Sequence, residues 1–216
     1  MFVHLNQTPG TYYFRASALA TGDMVQIIEG QAMLIYGNNE TVGVVGEPYM
    51  SINGSAKSDS VVLNESTLNP FPPLPPPSAA DVSFHFTINQ TEPTVWVINS
   101  QPFVDPVVPI LFAKTSDGWH ANTTYFAPLN ATIDLVISIA NDSLDTMGHP
   151  LHLHGHTFWT LDSGTGTFDP SRLNLVNPPI RDTENIPPSG WLAIRYAADN
   201  PGAWIFHYHI DWLSPL

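Results

Sequence analysis

Nine histidines occur in the 216 residues, and six of them fall into two tight groups: His149, His152, His154 and His156 in HPLHLHGH, and His207 and His209 in HYH. Neighbours i and i+2 of a strand point to one face about 6.6 Å apart. His152 with His154, and His207 with His209, can therefore each present two imidazoles to the same side. Two adjacent strands of this kind make a platform for a metal ion. Imidazole suits copper, zinc, iron and nickel, and the spacing alone selects none of them. His4, His85 and His120 stand apart in the sequence and read as surface or hydrogen-bonded histidines. The chain has no cysteine, which removes disulfides, catalytic thiols, iron–sulfur clusters and thiolate zinc sites.

The elements that must position these residues read as short strands. Gly10–Ala16, Met24–Ile28, Asp81–Ile88, Thr94–Ile98, Thr132–Ile139 and Trp191–Tyr196 are rich in β-branched and aromatic residues and are bounded by Gly, Pro, Asn and Asp. Their spacing predicts an all-β sandwich or barrel, and the 21 prolines argue against long helices. Six prolines in residues 70–77 favour an extended connector, read as a spacer rather than as a ligand for proline-recognising modules. The predicted organisation is the end of a preceding domain over 1–60, a Pro-rich linker over 61–80 and the main β domain over 81–216.

HPLHLHGHTFW at 149–159, followed by DNPGAWIFHYHIDW at 199–212, resembles the two C-terminal copper motifs of the multicopper oxidases, fungal laccases in particular. Leu175–Asp182 also resembles the family, and the likeness covers most of residues 60–216. A weaker likeness to the end of the second laccase domain rests on Pro9–Ala16 and Ala32–Tyr36. The resemblance implies a cupredoxin-like Greek-key β-sandwich or barrel with remnant strands of a preceding cupredoxin domain. It also implies copper as cofactor, and a reaction in which phenols are oxidised while O2 is reduced to water. By motif position, His149 corresponds to a type 1 copper ligand, His152 to a type 2 ligand, and His154, His207 and His209 to type 3 ligands. His156 matches a position given a supporting hydrogen bond.

The departures from the family pattern carry equal weight. Tyr208 stands where the family has the cysteine that binds the blue copper, and Leu213 where it has a closing histidine. A blue site needs a trigonal His2Cys set, of which one member remains. Tyr208 is read as a strand aromatic filling the vacated site, in preference to a metal-bound or redox-active phenol. The other half of the family's trinuclear cluster comes from first-domain histidines not found in these 216 residues, so a partner chain or oligomer would have to complete it. The expectation is a copper-binding, laccase-like domain with impaired or no classical activity. The alternative is a non-enzymatic glycoprotein fragment or metal-binding module. A hydrolytic histidine–metal site is a minor third reading, because no carboxylate near the motifs is placed as its base.

Composition limits the partners. A net charge of -13 with six basic residues excludes a phosphate-neutralising surface, hence nucleic acid, and no apolar run approaches the length of a membrane helix. Small phenolic molecules are the expected substrates. Eight Asn-x-Ser/Thr sequons, at Asn6, Asn39, Asn53, Asn64, Asn89, Asn122, Asn130 and Asn141, point to a secreted, glycosylated parent protein whose signal peptide lies upstream of Met1.

Overall fold

The computed structural model describes residues 8–17, 29–37, 63–112, 122–145 and 147–208. The expected strand Met24–Ile28, together with His4, His120, His209 and Leu213, lies outside them. The chain divides into two compact units, Met1–Asn64 and Glu65–Leu216. In the first, β1 (Gly10–Ser17) and β2 (Glu29–Tyr36) form an antiparallel pair in register from Gly10 opposite Tyr36 to Ser17 opposite Glu29.

The described residues of the second unit form nine strands: β3 (Val82–Glu92), β4 (Val95–Ile98), β5 (Thr132–Ile139), β6 (His149–Leu153), β7 (Phe158–Thr165), β8 (Ile180–Arg181), β9 (Thr183–Ile186), β10 (Gly190–Ala197) and β11 (Phe206–Tyr208). Six of them make one sheet in the order β4-β3-β5-β10-β7-β8, with β3 and β5 parallel and the other pairs antiparallel. The remaining three make a second sheet, β11-β6-β9, antiparallel throughout. Helix among the described residues amounts to three single 3-10 turns, as the proline content requires.

Strand β5 shows why the sheets pair. Ile133, Leu135, Ile137 and Ile139 are buried and alternate with half-exposed Thr132, Asp134, Val136 and Ser138, so one face of the six-stranded sheet is apolar. That face packs on Leu151, Leu153, Ile186 and Tyr208 of the three-stranded sheet in one core with Phe86, Ile88, Phe158, Leu192 and Ile194. The result is a two-sheet sandwich, and the described strands do not close into a barrel. Its outer face is not left bare. Trp191, Leu161 and Ala193 form a second cluster there, covered by Phe168 and Leu173.

The Pro-rich segment is bonded to this sandwich. The indole N–H of Trp159 donates to the Leu74 carbonyl at 2.8 Å, the Leu74 N–H donates to Asn177, and the Arg195 guanidinium donates to the Pro77 carbonyl. Arg195 is 4% exposed and forms a two-pronged pair with Asp134 at 2.6 and 2.7 Å, which keeps its buried charge compensated.

Candidate metal centre

Strands β6 and β11 lie side by side with His207 directly opposite His152 and Tyr208 opposite Leu151. The alternation of the pleat then divides the histidine motif between two faces. His149, Leu151 and Leu153 point into the core, and His152 and His154 point the other way. The Ile205 carbonyl accepts from the His154 N–H and prolongs the ladder by one residue past β6.

On the open face, three imidazoles gather. Ring centroids are 4.8 Å apart for His152 and His154, 4.9 Å for His154 and His207, and 5.8 Å for His152 and His207. Nε2 of His154 and Nε2 of His207 stand 2.9 Å apart. Backbone carbonyls orient two of the rings: Nδ1 of His152 donates to the Asp182 carbonyl at 2.7 Å, and Nδ1 of His207 to the Tyr208 carbonyl. A proton held at Nδ1 leaves Nε2 as the lone-pair nitrogen, the form that ligates metals. Thr183 Oγ1 lies a further 2.9 Å from Nδ1 of His152. This places a threonine and the end of Leu175–Asp182 beneath the first imidazole.

The turn after His154 is fixed by shape. Gly155 has φ +71 and lies flat against the Trp204 ring, where a Cβ would come within 2.4 Å of Cδ2. His156 then packs between Tyr196 and Trp204, with Nδ1 donating to the His154 carbonyl at 3.1 Å. It supports the backbone of the platform and stands off its face. His85 is exposed on β3, away from the cluster.

The buried face is different. His149 is fully buried, with the ring of Tyr208 at 4.5 Å and that of Trp96 at 5.2 Å, both edge-on. Asp145, four residues earlier, is also buried, and its Oδ2 faces Nε2 of His149 as an ion-pair contact. The Met147 N–H donates to Oδ1 at 2.9 Å, which holds the carboxylate in that orientation. Nδ1 of His149 and the Tyr208 hydroxyl are buried without a hydrogen-bond partner. Burial pushes the imidazole of His149 below its ordinary range, with the Asp145 carboxylate working in the opposite direction. Burial, reinforced by the same carboxylate, pushes the Tyr208 phenol well above its ordinary range.

Asp145, Trp96 and Thr183 were not singled out from the sequence. Only Asp145 had a signal, an acid spaced i,i+4 from the first histidine of the motif. Among the described residues, no three His, Asp or Glu side chains converge as a ready ligand set for a metal ion. The donors fit copper in part on the open face, where imidazoles gather. On the buried face they do not fit a blue copper, because the donors there are an imidazole, a carboxylate and a protonated phenol, with no thiolate.

Comparison with known proteins matches this architecture. The family model described as multicopper oxidase matches residues 82–214, so the chain belongs to the multicopper oxidase family, whose cofactor is copper, and constitutes a laccase-like copper oxidase domain of it. It is 44% identical to an L-ascorbate oxidase of Nicotiana tabacum over 46% of this chain and 18% of that one. It is 30% identical to a laccase of Pestalotiopsis fici over 97% of this chain and 39% of that one. The chain thus spans well under half the length of these curated relatives. Among solved structures, Fet3p, a multicopper oxidase that functions in iron import, superposes with a TM-score of 0.63 at 24% identity, covering 86% of this chain and 37% of that one, and supports the cupredoxin-like fold.

Proposed function

We propose that this chain supplies one half of a trinuclear copper cluster in a laccase-type oxidase. His152, His154 and His207 are the ligands from the described residues, and His209 lies on the same side of the motif by its i+2 spacing. The observation that carries the reading is the open face of β6 and β11, where three imidazoles meet within 5.8 Å and two are oriented through Nδ1 by backbone carbonyls. Copper bound there would supply oxygen reduction, coupled in the family to oxidation of phenols. Backbone carbonyls hold His152 and His207 in the ligating tautomer, and the sandwich beneath keeps the spacing of the imidazoles. The remaining histidines come from outside these 216 residues, from another part of a longer chain or from a partner.

Electron delivery is the weak link. With Tyr208 in place of a thiolate and Leu213 in place of a histidine, no blue copper forms at His149, and turnover of phenols by the family's ordinary route is impaired. The half-set of ligands, the acidic surface and the sequons together support a secreted glycoprotein. Asn64, Asn122, Asn130 and Asn141 are exposed, whereas Asn89 is half-buried and its amide donates to Asp142.

Copper content per chain after copper loading, measured by elemental mass spectrometry, tests this reading. Copper near one per chain in the native protein, lost in a His154→Ala/His207→Ala double variant that still folds, is the expected result. Copper near zero would leave the fold without the family's chemistry.

A further inference from the structure

The outer face of the six-stranded sheet carries a cavity that neither the main core nor the histidine platform uses. It lies between the sheet and residues 168–173, and its volume is about 190 Å³. Native packing leaves few voids larger than a water molecule, and this one exceeds the roughly 30 Å³ of a liquid water several times over. It falls short of the about 300–1,000 Å³ of sites for drug-sized ligands, which limits an occupant to about one ring. The walls are fixed by the protein's own contacts. Phe168 meets the Trp191 ring edge-on at 5.0 Å, and the Arg172 guanidinium lies 5.2 Å from the centre of the same ring. Arg172 also pairs with Asp162 at 3.0 Å and donates to the Ser163 carbonyl at 3.1 Å. Asp169 caps the short turn Pro170–Arg172 by accepting from the Ser171 N–H at 2.9 Å, and the Asn174 N–H donates to the Leu161 carbonyl at 2.9 Å. The covering segment is thus stapled to β7 and β10, so a ligand would meet a formed site and little ordering cost.

The lining divides by chemistry. Leu161 and Ala193 of the sheet, with Phe168 and Leu173 of the covering segment, make an apolar end. Ser83 and His85 share a face of β3 through their i,i+2 spacing, Ser83 is directly opposite Asp134 in the parallel register, and these three make a polar end. The Asp134 carboxylate already holds the Arg195 guanidinium, one N–H on each oxygen. The pair is neutral as a whole, so it favours no ionic ligand, yet each oxygen keeps a lone pair that a hydroxyl can reach. We propose that this cavity is a binding site for a small, uncharged, single-ring aromatic alcohol or phenol. The ring packs against Leu161, Phe168 and Leu173, and the hydroxyl is held at the Ser83, His85 and Asp134 end. The site does not rest on copper at β6, since β6 and β11 belong to the other sheet.

The test titrates the full, metal-free chain with para-fluorophenol and follows the fluorine NMR shift of the probe, so that no oxidation intervenes. Saturable binding with a Kd of about 0.1–10 mM is expected, as suits so small a ligand. Fluorobenzene has the same ring and no hydroxyl, and should bind at least about tenfold more weakly because it leaves the polar end unpaired. Val136→Phe puts a ring into the cavity, Ser83→Leu covers its polar end, and each should weaken para-fluorophenol at least about tenfold. Near-ultraviolet circular dichroism checks that the variants are folded, and Ser83 is exposed, so its replacement leaves the core intact. Asp134 is left unchanged, because its loss would strand the buried charge of Arg195. His154→Ala/His207→Ala should not alter binding of the probe. A native chain without a saturable shift would overturn the proposal, as would equal binding of fluorobenzene, binding that survives Ser83→Leu, or binding lost in the His154→Ala/His207→Ala variant.

Discussion

The two faces of strand β6 make different kinds of site from one run of residues. On the open face, the rings of His152, His154 and His207 meet at tilted and T-shaped angles, and those of His152 and His207 are aimed by carbonyls of the sheet itself. On the core face, His149 is enclosed by Trp96, Tyr208 and Asp145, with its Nε2 facing the Asp145 carboxylate. A period of two lets a single strand serve both sides, and the two sides then diverge independently. The register of β11 against β6 is set by backbone bonds, so a tyrosine at 208 changes the donor set of the buried face while His207 keeps its place opposite His152. The donors of the buried face can therefore change without loss of the platform.

The comparison fails if the two faces cannot be uncoupled, and the largest perturbation acts on their shared support. Leu151 is 2% exposed, lies between His149 and His152, and packs in the core that joins both sheets. Leu151→Ala should cost about 2–5 kcal/mol in urea unfolding and disturb both faces together, read as weaker copper binding at the open face and a changed near-ultraviolet circular dichroism from the aromatics around His149. If either readout stayed native in that variant, the strand would not be their common support. A smaller and more selective break lies at Gly155. Its positive φ and the Trp204 ring leave no room for a Cβ, so Gly155→Ala should cost about 1–3 kcal/mol and displace His154. Copper binding at the open face should fall while His149 and Tyr208 keep their environment, as read by near-ultraviolet circular dichroism.

The sequence showed these features unequally, for physical reasons. Thr132–Ile139 was readable as a strand because one of its faces is buried and the other is not, which imposes strict alternation on the residues. The histidine motif was readable as a strand for the same reason of period, applied to ligands. Strands β7 and β9 were not, because Asp162, Ser163, Gly164, Glu184 and Asn185 have little intrinsic strand preference and are held by their neighbours, β10 for β7 and β6 for β9. The anchoring of the Pro-rich segment was equally hidden, since Trp159, Asn177 and Arg195 are 85 or more residues away from their partners. Asp145 was legible only as a spacing. A lone acid before a histidine motif looks like a surface residue until the fold buries it against the first imidazole.

The smallest expected effect concerns the tuning of one ring. Thr183 Oγ1 and the Asp182 carbonyl both approach Nδ1 of His152, at 2.9 and 2.7 Å, and between them they keep its proton on that nitrogen. The carbonyl survives side-chain substitution, so the threonine contributes the finer adjustment of ring angle. Thr183→Val keeps the shape of the side chain and its β-branched fit to strand β9 while removing the hydroxyl. Copper affinity at the open face should fall by up to about tenfold, the low end of what outer-shell partners contribute, with unfolding stability nearly unchanged. Competition titration against a chelator of known affinity measures the first quantity and urea unfolding the second. A loss of stability without a loss of affinity would make Thr183 a packing residue of β9, and would leave the Asp182 carbonyl to turn His152 toward the open face without it.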